Sequence, residues 1–208
     1  DDGFYDRYPS RQIVADATCN SCHAKLSFHG GGRTDTEYCV TCHNPVTTDA
    51  NSENPVDFAI MVHRIHYSKN IPSVSDGRSY KIWGFNNGEY NYSNVSYPQP
   101  TNQCARCHAG QEDFDYAEAQ GLPEPRATKT PDGHRWATYR GRDACESCHD
   151  DKLGHGGSGS RFCTDCHNDV QQRHRTAADE AGLSLKFVID SVTATAAGET
   201  PVVTFSIQ

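Results

Sequence analysis

The chain has 208 residues, of which 22% are charged, and its formal net charge is −8. Leu, Ile, Val and Phe make up only about 15% of it, and a share below ~20% with substantial net charge is typical of disorder. Ten Cys and eleven His argue against disorder, so something other than aliphatic side chains must fill the interior. The acidic balance disfavours nucleic-acid binding. No apolar run approaches the ~18–20 residues of a membrane span.

Every cysteine belongs to one of five copies of the pentapeptide Cys-x-x-Cys-His. The cysteine pairs are Cys19 and Cys22, Cys39 and Cys42, Cys104 and Cys107, Cys145 and Cys148, and Cys163 and Cys166; the histidines that follow are His23, His43, His108, His149 and His167. This is the attachment signature of c-type haem. Two thiols three positions apart reach the two vinyl groups on one porphyrin edge, and the adjacent histidine ligates the iron. The sequence therefore predicts five covalently attached haem c groups.

Three other uses of paired cysteines fit the pattern less well. Zinc sites built from such pairs use two pairs per metal ion, which would leave one pair over, and they do not need a histidine after every second cysteine. A disulfide framework would not place all its cysteines in couples of this spacing. A thioredoxin-like redox motif occurs once in a domain and not five times.

Five haems would leave about 42 residues for each, so the macrocycles would supply the apolar surface that the side chains lack. The predicted fold class is a multihaem cytochrome c. It would be mostly irregular, with a few short α-helices wrapped around a five-haem stack and a β-hairpin at the C-terminus. We expect the chain without haem to be largely unfolded, as in small domains that fold only with their metal.

The six histidines outside the motifs are candidates for the second axial position of each iron. They are His29, His63, His66, His134, His155 and His174. Met61 is the only methionine, so methionine cannot be the general sixth ligand. We predict two histidines per iron, which closes both axial positions and is typical of electron-transfer haems. The sequence does not indicate which histidine serves which haem.

Helical spacing favours two of these histidines as distal ligands. His63 and His66 lie three residues apart in a predicted helix, with Asn54 as the N-cap, Pro55 at the first position and Asp57 in the first turn. Residues at this spacing share one helix face, so the two side chains are able to reach two neighbouring haems.

An internal repeat favours His29 and His155. Each follows the first cysteine of a motif by ten residues and precedes two glycines, which let the backbone approach a flat cofactor. His174 lies in a predicted helix over residues 168–181 that ends at Gly182, at the place in the second repeat that the His63/His66 helix takes in the first. We predict all three as distal ligands. His134 lies in a turn-rich stretch without a counterpart, and we predict a surface position for it.

The segments outside the motifs differ in composition and in the secondary structure they predict. The connection from Tyr67 to Gln103 is rich in Tyr, Asn, Gly and Pro and is predicted to be irregular, and a short helix over Glu112–Gln120 is predicted to end at Gly121. Residues 183–195 and 201–207 predict two strands around a turn at 197–199. We therefore predict a pentahaem domain over 1–182, and over 183–208 the start of a following β domain.

Several runs in and around the motifs resemble those of a known protein family. Similar features are the His-Gly-Gly between the first two motifs, the runs Cys42-His43-Asn44-Pro45 and Met61-Val62-His63-Arg64-Ile65-His66, the Tyr-Pro-rich lead into the third motif and the Cys-x-Ser-Cys-His-Asp of the fourth. Over residues 11–182 the chain resembles the outer-membrane decahaem cytochromes of metal-reducing bacteria, the OmcA/MtrC family. It differs in holding five motifs and not ten.

The resemblance implies a location and a set of partners. Family members alternate β domains with pentahaem domains, are lipid-anchored on the cell surface, and pass electrons from a porin-bound periplasmic multihaem cytochrome to metal oxides, flavins or soluble Fe(III). The family pattern also implies His29, His63, His66, His155 and His174 as distal ligands. Haem is attached outside the cytoplasm, and the chain begins without a start Met or signal peptide. We therefore expect part of an exported protein of the outer-membrane surface or extracellular space.

The predicted function is electron transfer, for which the protein needs no dedicated catalytic residues. Reduction of a terminal metal acceptor would need no catalytic site of its own either. One alternative is a subunit of an extracellular cytochrome filament, joined through the unpaired edges of the C-terminal strands. A less favoured alternative is a multihaem reductase, which needs one iron with an open position. No motif has Lys in place of its histidine, and the spare histidines suffice to close every iron.

Overall fold

The structure, a computed structural model, describes residues 11–99, 101–137, 142–152, 163, 167, 174, 187–194, 196 and 200–207. Its α-helices are short: α1 Asp16–Asn20, α2 Thr36–Cys39, α3 Phe58–Tyr67, α4 Pro72–Ser75, α5 Gln111–Gln120 and α6 Arg142–Glu146. Single 3₁₀ turns lie at Ser68–Asn70, Phe85–Asn87, Cys104–Arg106, Gly133–Trp136 and Asp150–Lys152. No helix in the described ranges is long and apolar enough to cross a bilayer.

Within the described ranges, two antiparallel hairpins supply the strands. The first joins β1 Lys81–Trp83 to β2 Glu89–Asn91, and the second joins β3 Phe187–Thr193 to β4 Val202–Ile207. The second hairpin confirms the strands predicted near the C-terminus, and its register shifts once between Ile189 and Ser191. The turn predicted at 197–199 and the helix predicted over 168–181, apart from His174, lie outside the described residues.

The prediction of an irregular connection after Tyr67 was wrong in part, because that stretch contains α4 and the β1–β2 hairpin. The hairpin turns at Asn86 and Asn87, which both have positive φ, and the Gly88 amide donates to the Phe85 carbonyl at 3.1 Å. Positive φ at both central residues defines a type I′ turn, whose twist matches that of the flanking strands. The run Asn-Asn-Gly was the sequence signal for this turn.

The ligand-bearing helix α3 begins later than predicted. Asp57, not Asn54, is its N-cap: the Asp57 side chain accepts from the amides of Ala59 and Ile60. Pro55 lies outside the helix, in an isolated antiparallel bridge with Thr48. The bridge holds the chain extended up to residue 56, so the first helical turn forms only beyond it. By contrast, α5 ends as predicted at a left-handed Gly121.

Aliphatic packing is sparse. The buried apolar residues of the described ranges are Val56, Ile71, Tyr80, Ala109, Ala117, Ala127 and Trp136, and three of the seven are alanines. A folded domain of this size ordinarily buries far more apolar surface. The small core agrees with the composition, which predicted that side chains alone do not fill the interior.

The segment after the third motif forms the tightest part of this core. The buried Asp113 carboxylate accepts from the Gly110 amide at 2.9 Å and from the Trp136 indole at 3.1 Å. Gly133 lies against Ala109 so closely that a Cβ added to Gly133 would overlap the Ala109 backbone. These contacts fix the chain immediately beyond His108.

Long-range hydrogen bonds join the first motif to the same region. The Thr128 amide donates to the Thr18 hydroxyl at 2.9 Å, and the Thr130 hydroxyl donates to the Ile13 carbonyl at 3.2 Å. The Thr130 amide also donates to the Ala109 carbonyl at 2.9 Å. Residues 128–130 therefore link the segment before the first motif to the residue that follows the third motif, although these motifs lie far apart in sequence.

Replacing Gly133 by alanine should destabilise the holoprotein markedly. The added methyl group overlaps backbone and not a flexible side-chain end, and overpacking of this kind costs about 1–3 kcal/mol or more. Thermal unfolding followed by circular dichroism measures the loss. Gly32→Ala is the matched control, since nothing lies within 4 Å of a Cβ at Gly32. Equal melting temperatures for the two variants would contradict the packing described.

Candidate haem-binding sites

The five attachment motifs share one backbone turn. In each, the amide of the motif histidine donates to the carbonyl of the first cysteine; the bonds are His23 to Cys19 at 2.9 Å, His43 to Cys39 at 3.0 Å, His108 to Cys104 at 2.8 Å, His149 to Cys145 at 2.9 Å and His167 to Cys163 at 2.9 Å. This is a single α-helical turn, and residues i, i+3 and i+4 of such a turn share one face. In each of the first four motifs, both thiols and the imidazole are thus presented to one side.

Short helices prepare this turn at three of the motifs. The first cysteine is the fourth residue of α1, of α2 and of α6. At the third motif a 3₁₀ turn over Cys104–Arg106 serves instead. In these three motifs the first cysteine has the same position in its helix, so the pentapeptide adopts the same conformation although its surroundings differ.

Several of the motif thiols are partly buried, which does not activate them as nucleophiles. All cysteines within the described residues are free of disulfides. Burial raises the pKa of Cys19, Cys39, Cys107 and Cys148. A catalytic or redox-active cysteine instead has a lowered pKa that maintains the thiolate. The thioredoxin-like interpretation of the motifs therefore lacks support here.

Four motif histidines each face one histidine from outside the motifs. The ring-centroid distances are 6.1 Å for His23 and His66, 6.0 Å for His43 and His29, 6.0 Å for His108 and His63, and 6.4 Å for His149 and His174. No group of three or more His, Cys, Asp or Glu side chains in the described part of the chain converges as a metal cage. The arrangement is one of facing pairs.

The separation within the pairs fits an iron between two imidazoles. A metal lies about 2 Å from an imidazole nitrogen, and that nitrogen lies about 1.2 Å from its ring centroid, so two rings on opposite sides of one metal have centroids about 6 Å apart. Burial lowers the pKa of two of the paired rings, His63 and His108, which favours the neutral state that ligation needs. Burial, aided by nearby His63, lowers the pKa of His108 to about 4, so this imidazole is neutral at neutral pH.

Backbone carbonyls orient two of the rings. Nδ1 of His43 lies 2.8 Å from the Val56 carbonyl, and Nδ1 of His66 lies 2.8 Å from the Val62 carbonyl. A carbonyl only accepts, so Nδ1 carries the proton and Nε2 keeps its lone pair for a metal. Such a partner for the second nitrogen is the usual means of fixing a ligating histidine.

The loop that presents His29 has an unusual backbone. His29, Gly30 and Gly31 all have positive φ. Consecutive left-handed residues turn the chain tightly, and only glycine adopts this conformation without strain. The two glycines that follow His29 therefore serve the turn that brings its ring against His43.

The structure brings eight of the ten predicted axial histidines into pairs. Of the other two, His167 belongs to the described residues, whereas His155 lies outside them, as does Cys166. His134 faces no histidine in the described ranges; its Nδ1 lies 3.1 Å from a Glu112 carboxylate oxygen, and its side chain is 28% exposed. It is half-buried and not on the open surface as predicted, because it packs on Gly110.

Sequence reasoning did not single out Tyr97. Its ring contacts that of His66 edge-on, with centroids 5.5 Å apart. Burial raises the pKa of Tyr97, and the thiols of Cys107 and Cys22 raise it further. Tyr97 thus lies where the first and third motifs meet. The Tyr-Pro-rich lead into the third motif was the signal that contained it.

A known protein family and solved structures contain proteins similar to this chain. The family described as outer membrane cytochrome MtrC/MtrF-like, domains II/IV, matches residues 11–158. The chain belongs to this family. Multiheme cytochrome MtrC of Shewanella baltica (strain OS185) is 30% identical over 114 residues, which are 54% of this chain and 16% of that protein. The crystal structure of the outer membrane decaheme cytochrome OmcA matches with a TM-score of 0.60 and 25% identity, over 95% of this chain and 29% of that chain.

Family membership confirms the resemblance seen in the sequence. The MtrC/OmcA-like proteins are multihaem electron-transport cytochromes of the outer membrane, and membership implies covalently bound haem. The chain spans less than a third of the length of either relative.

Removing one facing histidine should open one iron. We expect His66→Ala to convert about one fifth of the haem of the oxidised protein from low-spin to high-spin, since one axial position is then left to water. Optical and EPR spectra measure the conversion.

His134→Ala is the matched control for this experiment, because His134 faces Glu112 and not a motif histidine. Its spectrum should stay low-spin. High-spin haem in His134→Ala, or none in His66→Ala, would contradict the pairing.

Proposed function

We propose that this chain is an electron conduit that carries five haems, each held between two histidines. The observation that supports the proposal is the combination of the shared attachment turn with facing histidine rings at 6.0–6.4 Å. Bound haem supplies one-electron chemistry between ferric and ferrous iron. The protein residues hold the ring, close both axial positions and set the surroundings of each iron.

The repeat supplies a partner for the fifth motif histidine. In the first repeat His29 lies between two motifs and faces His43, the histidine of the second of them. His155 has the same place between the fourth and fifth motifs. We therefore assign His155 to His167, which completes the set of ten axial ligands.

Closeness of the motifs favours transfer from haem to haem. Helix α3 carries His66 and His63, which face the histidines of the first and third motifs. Its first residue, Phe58, donates its amide to the carbonyl of His43 in the second motif at 2.9 Å. The attachment sites of the first three haems therefore share one neighbourhood. The fourth is joined to them through contacts of α3 with α6.

A carrier role needs no catalytic residue beyond the haem ligands. Two imidazoles per iron leave no position for a substrate, so electrons would leave through the porphyrin edge. In line with the family, the acceptors we propose are extracellular metal oxides, flavins or soluble Fe(III), and the donor is a porin-bound periplasmic multihaem cytochrome. We place the protein at the outer-membrane surface or in the extracellular space.

The C-terminal hairpin fits a separate β unit better than a haem-bearing one. Apolar side chains on both strands are about half exposed or more, among them Ile189, Val202 and Phe205. A lone two-stranded hairpin is marginal in water. We propose that residues 183–208 belong to a β domain that follows the haem-bearing region over 1–182.

Ionic strength should affect transfer to anionic and cationic acceptors in opposite ways. Each haem adds two propionates and one ferric charge, so the chain's formal −8 becomes about −13 when oxidised and about −18 when reduced. This field repels anions and is screened over about 10 Å at 0.1 M salt. Stopped-flow oxidation of the reduced protein by flavin mononucleotide should become faster with salt.

Transfer to hexaammineruthenium(III), a cation, should become slower over the same salt range and serves as the control. Equal salt slopes for the two acceptors would contradict a conduit whose exit lies in the overall negative field. Absence of electron transfer to either acceptor would contradict the proposed function itself.

A further inference from the structure

A buried pair of opposite charges lies between the ligand helix α3 and the fourth motif. Arg64 lies on α3 between His63 and His66, and its Nη2 is 3.7 Å from Oδ2 of Asp150. The side chains are only 17% and 5% exposed. Charges removed from water to this degree interact more strongly with their surroundings than surface charges do.

Both partners are held in place by further contacts. The amide and the hydroxyl of Ser73 donate to the Asp150 carboxylate. The Arg64 guanidinium donates to the Glu146 carbonyl at 3.5 Å and lies 5.8 Å from the ring centroid of the buried Tyr80. The pair thus joins α3 and α4 to the chain on either side of the fourth attachment turn.

The two charges act at the fourth attachment site. Asp150 follows His149, the motif histidine that faces His174. The Arg64 guanidinium donates to the carbonyl of Glu146, which lies between the two cysteines of this motif. Both charges therefore lie beside the fourth attachment turn, and both are largely removed from water.

We propose that Arg64 and Asp150 act as a balanced pair on the reduction potential of the fourth haem, each shifting it in the direction opposite to the other. The proposal rests on the proposed function, since it requires haem at this motif. Reduction adds one electron to the fourth iron, from ferric to ferrous, so a nearby positive charge raises the potential and a nearby negative charge lowers it. While both charges are present, their effects on the potential largely cancel. The same pair also holds α3 beside the fourth haem, and α3 bears ligands of the first and third haems.

Removing one partner at a time tests this proposal. Asp150→Asn leaves the arginine uncompensated and should raise the potential of the fourth haem. Arg64→Gln leaves the carboxylate uncompensated and should lower it. The double variant Arg64→Gln with Asp150→Asn should return the potential toward that of the parent, and Arg64→Lys, which keeps the charge, should leave it nearly unchanged.

Redox titration of the holoprotein, followed by EPR, measures the potentials, and loss of a low-spin signal in His174→Ala identifies the fourth haem. Lys81→Gln and Glu89→Gln are matched controls, because they make the same changes in net charge at an ion pair on the β1–β2 hairpin. The fourth haem should not shift in either control.

Shifts of the same sign in Arg64→Gln and Asp150→Asn, or none in either, would overturn the inference, because a purely structural pair would not produce opposite signs. A variant that misfolds loses haem, and the other single variant then decides: a shift of the wrong sign there, or none, overturns the inference. A parent protein without haem at the fourth motif would instead refute the proposed function, so the two failures are distinguishable.

Discussion

Two imidazoles that face each other at about 6 Å form the interaction on which the rest of this structure depends. One ring of each pair is fixed in sequence next to its attachment cysteines, and the other comes from a different part of the chain. His66 is brought to His23 and His63 to His108 by the same helix. The described part of the chain has few buried apolar residues to position that helix, so hydrogen bonds position it instead. The Asp57 side chain caps the helix, the Phe58 amide donates to the His43 carbonyl, and the Tyr80 hydroxyl donates to the Pro55 carbonyl.

This reverses the usual relation between core and cofactor. In most domains buried side chains build a scaffold and the cofactor binds to it. Here the described core is small and rich in alanine, and apolar residues such as Phe28 and Val40 are about half exposed beside the His29–His43 pair in sequence. Such surfaces suit packing against a porphyrin face. In the proposed holoprotein the haems are therefore part of the core, and loss of haem amounts to loss of folding free energy.

The sequence predicted the local features well and the long-range ones poorly. The attachment turn follows from the spacing within each pentapeptide, and the end of α5 follows from Gly121, since both depend on neighbouring residues. The pairing of His66 with His23 joins residues far apart in the chain, and no local pattern indicates it. The start of α3 was misplaced because Pro55 suits a first helical turn, while its bridge to Thr48 becomes visible only in the fold.

The claim that facing histidines hold every iron is tested most directly by the haem-to-protein ratio together with the EPR spectrum of the fully oxidised protein. We expect five haems per chain, all low-spin. The ring planes meet at 80° and 78° in the His23–His66 and His149–His174 pairs, but at 29° and 40° in the His29–His43 and His63–His108 pairs. Nearly perpendicular rings give strongly anisotropic ferric signals and more parallel rings give rhombic ones, so both types should be present. Four or fewer haems, or a substantial high-spin signal, would contradict the account.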